Sequence, residues 1–219
     1  MNRYFNEEIA GRLARSGVMA VLVIQNPDRA VDTARALLAG GVDTMELALR
    51  TDRSLEALER IAREVPEMTA GAGTILRPEQ VVRARDAGAA FGVSPGFSDA
   101  ALEKALDLKF PFAPGILTPS ELERALSYGC RTVKLFPAQA AGGPAYAKAI
   151  HAPYKHLGIQ FIPLGGLSAA NMGDYLKLDF IPAVGGSWIA PGAAIESGEW
   201  AAIEKNAAEA VALAKAARP

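Results

Sequence analysis

Val18-Met19-Ala20-Val21-Leu22-Val23-Ile24, running directly into Gln25-Asn26-Pro27-Asp28, is the stretch on which the fold turns. The apolar run reads as a buried strand and is far shorter than the roughly 20 residues needed to cross a bilayer. A doubly wound dinucleotide-binding sheet would place Gly-x-Gly-x-x-Gly after its first strand, with an acid roughly 20 residues later. Here Asn26 stands as a helix cap before a first-turn Pro27, and Gly40-Gly41 closes the same helix. Gly71-Ala72-Gly73 follows a later apolar stretch but lacks the third glycine.

Working outward, further strands are expected at Thr44–Leu49, Met68–Gly71, Ala90–Val93, Phe112–Pro114, Thr132–Phe136, Gln160–Leu164 and Ile181–Val184. Their midpoints advance by about 20 to 29 residues, the length of one strand, one helix and two loops. Arg77-Pro78-Glu79, Thr118-Pro119-Ser120-Glu121 and Leu167 to Asn171 open intervening helices, and residues 199–217 form a long closing helix. Eight such units allow a closed (β/α)8 barrel or an open doubly wound sheet. Without the dinucleotide fingerprint, the expectation is one TIM-barrel domain over residues 1–219, preceded by a short helix over 5–15.

The 219 residues are half hydrophobic, enough to fill a sizeable core. With 23 Lys+Arg against 24 Asp+Glu, the chain lacks the basic field that non-specific nucleic-acid binding requires. A single cysteine, Cys130, excludes an internal disulfide framework and reads as a small buried hydrophobe. Two histidines, His151 and His156, are too few for most histidine-rich metal sites and read as surface residues. The opening Met1-Asn2-Arg3-Tyr4-Phe5-Asn6-Glu7-Glu8 carries no signal-peptide core, so a cytoplasmic location without membrane or nucleic-acid partners is expected.

In a barrel, chemistry collects at the carboxyl ends of the strands. Along Met45-Glu46-Leu47-Ala48-Leu49-Arg50, side chains alternate, so Glu46 and Arg50 face inward or toward the mouth while Met45, Leu47 and Leu49 pack against helices. One reading makes Glu46 and Arg50 a structural ion pair at a strand end. Lys134 shares its face of Thr132-Val133-Lys134-Leu135-Phe136 with Thr132 and Phe136. A lysine in mid-strand either snorkels to the mouth, pairs with Glu46, or serves as a desolvated amine that attacks a ketone to form a Schiff base. Gly165-Gly166 and Gly185-Gly186-Ser187 follow the last two strands, the recurrent phosphate position of this fold. Gly71-Ala72-Gly73-Thr74 offers a hydroxyl and backbone donors for a carboxylate, whereas Ser94-Pro95-Gly96 and Pro114-Gly115 read simply as turns.

Taken in order, these pieces resemble the 2-keto-3-deoxy-6-phosphogluconate (KDPG) and 4-hydroxy-2-oxoglutarate (KHG) aldolase family of class I aldolases. The resemblance runs from Gly17 to Pro191 and rests on Glu46, Leu49-Arg50-Thr51, Gly71 to Thr74, Ser94-Pro95-Gly96, Pro114-Gly115, Val133 to Ala138, Gly165-Gly166 and Gly185 to Trp188. It implies that Lys134 forms the Schiff base and that Glu46 moves protons. It further implies that Arg50 and Thr74 hold the pyruvate carboxylate, that Pro95 and Phe136 wall the pocket, and that Gly165, Gly166, Gly186 and Ser187 receive a phosphate. The implied partners are pyruvate and a phosphorylated aldehyde, with neither metal nor organic cofactor, in a homotrimer. Three positions depart from the family pattern: Gln139 in place of a glutamate, Leu164 in place of a threonine, and Val23 in place of an arginine. Galactonate-type cleavage and oxaloacetate decarboxylation through the same imine remain open. So do a phosphosugar isomerase or epimerase and a phosphosugar-binding barrel with a purely structural Glu46–Lys134 pair.

Overall fold

The structure, a computed structural model, describes Phe5 and residues 7–218, with nothing said of the Glu7 side chain. Residues 1–4 of the N-terminal stretch, and Asn6 of the helix expected over 5–15, therefore lie outside the described residues. That helix is α1 (Glu7–Ser16). Strands and helices then alternate: β1 (Val18–Leu22), α2 (Ala30–Ala39), β2 (Thr44–Ala48), α3 (Ser54–Glu64), β3 (Thr69–Gly73), α4 (Pro78–Asp86), β4 (Phe91–Val93) and α5 (Asp99–Asp107). The second half comprises β5 (Phe112–Ala113), β6 (Gly115–Ile116), α6 (Pro119–Tyr128), β7 (Thr132–Leu135), α7 (Gly143–His151), β8 (Gln160–Pro163), α8 (Met172–Leu176), β9 (Val184–Gly186), α9 (Gly192–Ser197) and α10 (Trp200–Ala217).

All recorded strand pairs are parallel, in a six-stranded sheet ordered β5-β4-β3-β2-β1-β9 and a three-stranded sheet ordered β6-β7-β8. The α/β class is as expected, but in place of one eight-stranded ladder there is a curled half-barrel with a second sheet beside it. The fifth expected strand is divided. Proline has no N–H to give to a ladder, so Pro114 falls between β5, which pairs with β4, and β6, which pairs with β7. The eighth expected strand is displaced: Ile181 to Ala183 is irregular, and pairing with β1 begins at Val184. The third runs two residues further, to Gly73, and the first stops at Leu22.

Alternation along the strands divides the interior in two. Val18, Ala20 and Leu22 of β1, Met45 and Leu47 of β2, and Val133 and Leu135 of β7 pack outward against the helices. Met19, Phe91, Val93, Ile162, Leu164 and Ala183 point the other way and are joined by Phe5, Ile9 and Leu13. The amphipathic α1 thus covers the amino-terminal end of the inner cluster, where the Phe5 and Phe91 rings meet edge to face at 5.5 Å. The long α10 crosses α2 at close range; a Cβ on Gly40 would stand 2.4 Å from that of Ala207, so glycine is what permits the contact.

The helix starts follow the sequence signals. Asn26 accepts a hydrogen bond from the Asp28 N–H and opens a 3-10 turn that runs into α2. Thr118 and Glu121 form a reciprocal capping box on α6, which Gly129 ends with φ 92°. Cys130 is buried as expected, and desolvation pushes its thiol up to about 12. His151 corrects the expectation of a surface residue. It is buried, stacked on Phe180 with ring centroids 3.7 Å apart and edge-on to Phe161, while His156 is exposed.

Candidate active site

A cleft of about 220 Å³ opens at the carboxyl ends of the strands, lined by Val21, Val23, Glu46, Arg50, Lys134, Phe136, Leu164 to Leu167 and Gly185 to Ser187. Glu46 and Lys134 lie at its floor, and the strands explain why. The register sets Glu46 of β2 opposite Gly71 of β3, and Lys134 of β7 opposite Gly115 of β6 and Ile162 of β8. Both side chains therefore point inward from positions flanked by small or apolar neighbours. Lys134 is 5% exposed and Glu46 1%. The Lys134 Nζ donates to Glu46 Oε1 at 2.8 Å and to Oε2 at 3.2 Å.

Space for that pair is made by a glycine. A Cβ on Gly73 would lie 2.5 Å from Glu46 Oε1 and 2.8 Å from its Cδ. The Phe136 ring centroid is 5.5 Å from Nζ, within cation–π range. The buried charges are thus mutually paired, the condition under which a carboxylate and an ammonium are tolerated in an apolar interior. One proton passed from Nζ to Oε1 would leave a neutral amine and a neutral acid at the same spot.

Of the two pairings the sequence offers Glu46, the one with Lys134 forms and the one with Arg50 does not. Arg50 lies beyond the end of β2, is exposed at the cleft rim, and donates from Nε to Thr74 Oγ1 at 3.3 Å. Thr74 itself has φ 60°. A β-branched residue rarely adopts that left-handed conformation, and it turns the hydroxyl toward Arg50. Neither Thr74 nor Pro95 lines the cleft directly: Thr74 is linked to it through Arg50, and Pro95 packs its carbonyl against Gly115.

The far end of the cleft is backbone. Gly165 and Gly166 have φ 90° and 78°, which L side chains rarely reach. Their loop is fastened from behind. Gln139 N–H donates to Gly165 O at 3.0 Å, Asn171 Nδ2 to Gly166 O at 3.1 Å, and Tyr175 Oη to Gln139 Oε1 at 3.0 Å. Gln139 therefore acts as a brace for the glycine loop, a role its position in the sequence did not disclose. At Gly186 a Cβ would meet the Trp188 indole at 1.8 Å, so the ring takes the space a side chain would need, and the exposed Ser187 follows. Val21, Leu167 and Gly185 also line the cleft; the alternation that picked out Glu46 would have found Val21 had it been applied to β1. Among the described residues, no group of three or more His, Cys, Asp or Glu side chains could hold a metal ion, and no helix is long and apolar enough to cross a membrane.

Fold and site together define an α/β protein whose cleft, at the carboxyl edge of parallel strands, joins a buried amine–carboxylate pair to an open glycine loop. The sequence model of the family described as "KDPG and KHG aldolase" matches residues 9–206, and the chain belongs to that family. It is 45% identical over 204 residues to the 2-dehydro-3-deoxy-phosphogluconate aldolase of Dickeya dadantii, covering 93% of this chain and 95% of that one. It is 43% identical over 203 residues to the KHG/KDPG aldolase of Escherichia coli K12, covering 93% and 94%. Among solved structures it is similar to a KDPG aldolase from Legionella pneumophila holding pyruvate as a covalent carbinolamine captured at low pH. That similarity has a TM-score of 0.87 at 37% identity, covering 91% of this chain and 96% of the other.

Proposed function

We propose that this chain is a class I aldolase that reversibly cleaves 2-keto-3-deoxy-6-phosphogluconate to pyruvate and glyceraldehyde 3-phosphate, and 4-hydroxy-2-oxoglutarate to pyruvate and glyoxylate. The observation that carries the reading is the 2.8 Å contact between Lys134 Nζ and Glu46 Oε1, both buried at the base of the cleft. A structural ion pair can occupy any interior. This one lines an open cavity, in a chain similar to a protein that binds pyruvate covalently.

Lys134 passes a proton to Glu46 and, as a free amine, attacks carbon 2 of the keto acid. Glu46 returns the proton as the carbinolamine hydroxyl leaves as water, giving an iminium ion. The Glu46 carboxylate then takes the proton of the carbon-4 hydroxyl. As the aldehyde C=O forms, the carbon 3–carbon 4 bond breaks and its electron pair moves into the iminium to give an enamine. Glu46 delivers its proton to carbon 3, and water hydrolyses the imine to release pyruvate and regenerate the amine. Electrons and protons balance within the lysine, the glutamate, water and substrate, so the sequence of steps requires no metal or organic cofactor.

Arg50, supported by Thr74, is suited to the pyruvate carboxylate through its planar fork. Phe136 walls the imine, while Pro95 stands outside the lining, its carbonyl against Gly115, the β6 residue paired with Lys134. The backbone at Gly165, Gly166 and Gly186, with the Ser187 hydroxyl, suits the distal phosphate. We further place the nine strands in one closed (β/α)8 barrel over a single domain, with β5 and β6 together forming the fifth strand. Phe161 N–H donates across to Phe180 O at 3.0 Å, drawing β8 toward the segment that leads into β9. The working form we expect is a cytoplasmic homotrimer, which sedimentation of the purified chain tests directly.

The deciding experiment is borohydride reduction in the presence of pyruvate, followed by peptide mass spectrometry. A pyruvyl adduct on Lys134 is the expected result. An adduct on another lysine, or none, ends the proposal.

A further inference from the structure

Resting on the aldolase reading, we propose that Tyr175, buried on α8, is a positioning residue for the phosphate end of the cleft: its hydroxyl fixes the Gln139 side chain, and Gln139 in turn holds Gly166 in place. The phenol is wholly buried, and its one hydrogen bond to a described residue runs from Oη to Gln139 Oε1 at 3.0 Å. Burial also raises the phenol above its ordinary value, so it stays protonated and remains a donor.

Pairing a buried hydroxyl is what any interior requires; what distinguishes this bond is the partner. Gln139 is exposed. Such a side chain is otherwise free to sample its rotamers, and among the described residues Tyr175 is the group its amide bonds. The stem it fixes runs against the glycine loop. A Cβ on Gly166 would lie 2.8 Å from Gln139 Cβ and 3.4 Å from its Cγ. Gly166 lines the cleft and Gln139 does not, so the brace acts from outside the lining.

The same short helix holds the loop at a second point. Asn171, directly before α8 and one turn ahead of Tyr175, donates from Nδ2 to Gly166 O at 3.1 Å and accepts the Ser168 N–H at 2.9 Å. Gly166 is thereby set between two residues of one helical turn, the first bonded to its carbonyl and the second to the side chain packed against it. The amine–carboxylate end has different support. Glu46 and Lys134 are fixed by the ladders of β2 and β7 and bond each other. Loss of the phenol hydroxyl therefore loosens the backbone offered to the phosphate and leaves the imine chemistry as it is.

The test is steady-state cleavage by the full chain carrying Tyr175→Phe, Gln139→Met, or both. The first keeps the buried ring and removes only the hydroxyl; the second keeps the stem and removes the amide. Tyr175→Phe is expected to raise KM for 2-keto-3-deoxy-6-phosphogluconate about three- to tenfold, the worth of one neutral hydrogen bond. Its kcat, and its KM for the phosphate-free 4-hydroxy-2-oxoglutarate, should stay within about twofold of the parent. Gln139→Met should raise the same KM by a similar factor, and adding Tyr175→Phe to it should cause no further rise, because residues acting through one contact are not additive. An unmoved KM in Tyr175→Phe, equal rises for both substrates, or effects of the two substitutions that multiply overturns the inference. Should Tyr175→Phe not fold, the exposed Gln139→Met decides by the same comparison of substrates. Borohydride trapping with pyruvate on the same samples separates the two failures. A Lys134 adduct with an unmoved KM removes only the role of Tyr175, whereas no adduct in the parent removes the aldolase reading and this inference with it.

Discussion

At one end of the cleft the groups facing a ligand are two charged side chains rooted in strands; at the other they are glycine backbone in loops. The difference follows from the work each end is fitted for. Proton transfer and imine formation need an amine and a carboxylate held in fixed register, and β2 and β7 supply that rigidity, with ladder hydrogen bonds on both sides of each residue. Receiving an anion suits backbone donors in loops, and the loops here need glycine: a Cβ would crowd Phe136 at Gly165, Gln139 at Gly166 and Trp188 at Gly186. Damage to the first end should therefore act on kcat and stability, and damage to the second on KM.

The sharpest way to break that contrast is Lys134→Ala. Turnover should fall to background and borohydride should trap nothing. Glu46 is also left buried without its partner, which for a broken buried pair costs about 3–5 kcal/mol, so the melting temperature should drop as well. Glu46→Gln keeps a hydrogen bond to Nζ but cannot take up a proton. Loss of a positioned acid–base group costs about 10²–10⁴ in kcat, and the Lys134 adduct should still form, more slowly. Retention of full kcat in Glu46→Gln would remove the glutamate from the mechanism.

Gly73→Ala probes the same end without touching either reacting group. The new methyl would lie 2.5 Å from Glu46 Oε1, so the carboxylate must move. A displacement of about 1 Å at a reacting centre can cost about 10²-fold. The expected signature is a kcat loss of that order with an unchanged KM for the keto acid, set against a circular dichroism spectrum like that of the parent. A change confined to KM would show that Gly73 serves binding instead.

Much of this end was legible in the sequence, because strand alternation is a local rule. Glu46 inward, Met45 and Leu47 outward, and Lys134 inward between Val133 and Leu135 all follow from a period of two. Alternation leaves the partner of Glu46 open between Arg50 and Lys134. Arg50 is four residues away and Lys134 eighty-eight, and only the curl of the sheets brings Lys134 within 2.8 Å. The divided fifth strand was hidden for a different reason. Pro114 was visible as a turn, but whether a strand ends or merely changes neighbours at a proline depends on what lies beside it. Gln139 stood out as a departure without a visible use, since its role comes from Tyr175 and the glycine loop converging on it from distant parts of the chain.

The glycine end offers a gentler test. In Gly166→Ala the added Cβ would approach Gln139 Cβ to 2.8 Å at a backbone angle of φ 78°. The loop should shift away from its brace, raising KM for the phosphorylated keto acid about tenfold, by loss of about 1.4 kcal/mol of binding. The KM for 4-hydroxy-2-oxoglutarate, which carries no phosphate, should change less. Equal effects on both substrates would place the anion elsewhere in the cleft.

The smallest effect concerns a residue remote from both ends. Burial holds His151 below its ordinary value, against the opposing pull of its contact with Ile159 O. The unfolded chain binds a proton at this histidine near pH 6.5, whereas the folded chain does so only at lower pH. Between those two points the unfolded state carries more protons, so stability rises with pH there. This contribution is complete above about pH 7 and is lost as pH falls through the folded value. His151→Phe keeps a ring against Phe180 and removes the titration. Melting temperatures measured from pH 7.5 down to pH 5 should therefore fall more steeply for the unsubstituted chain than for the variant. Parallel curves would mean that the packed imidazole takes up its proton without disturbing the stack.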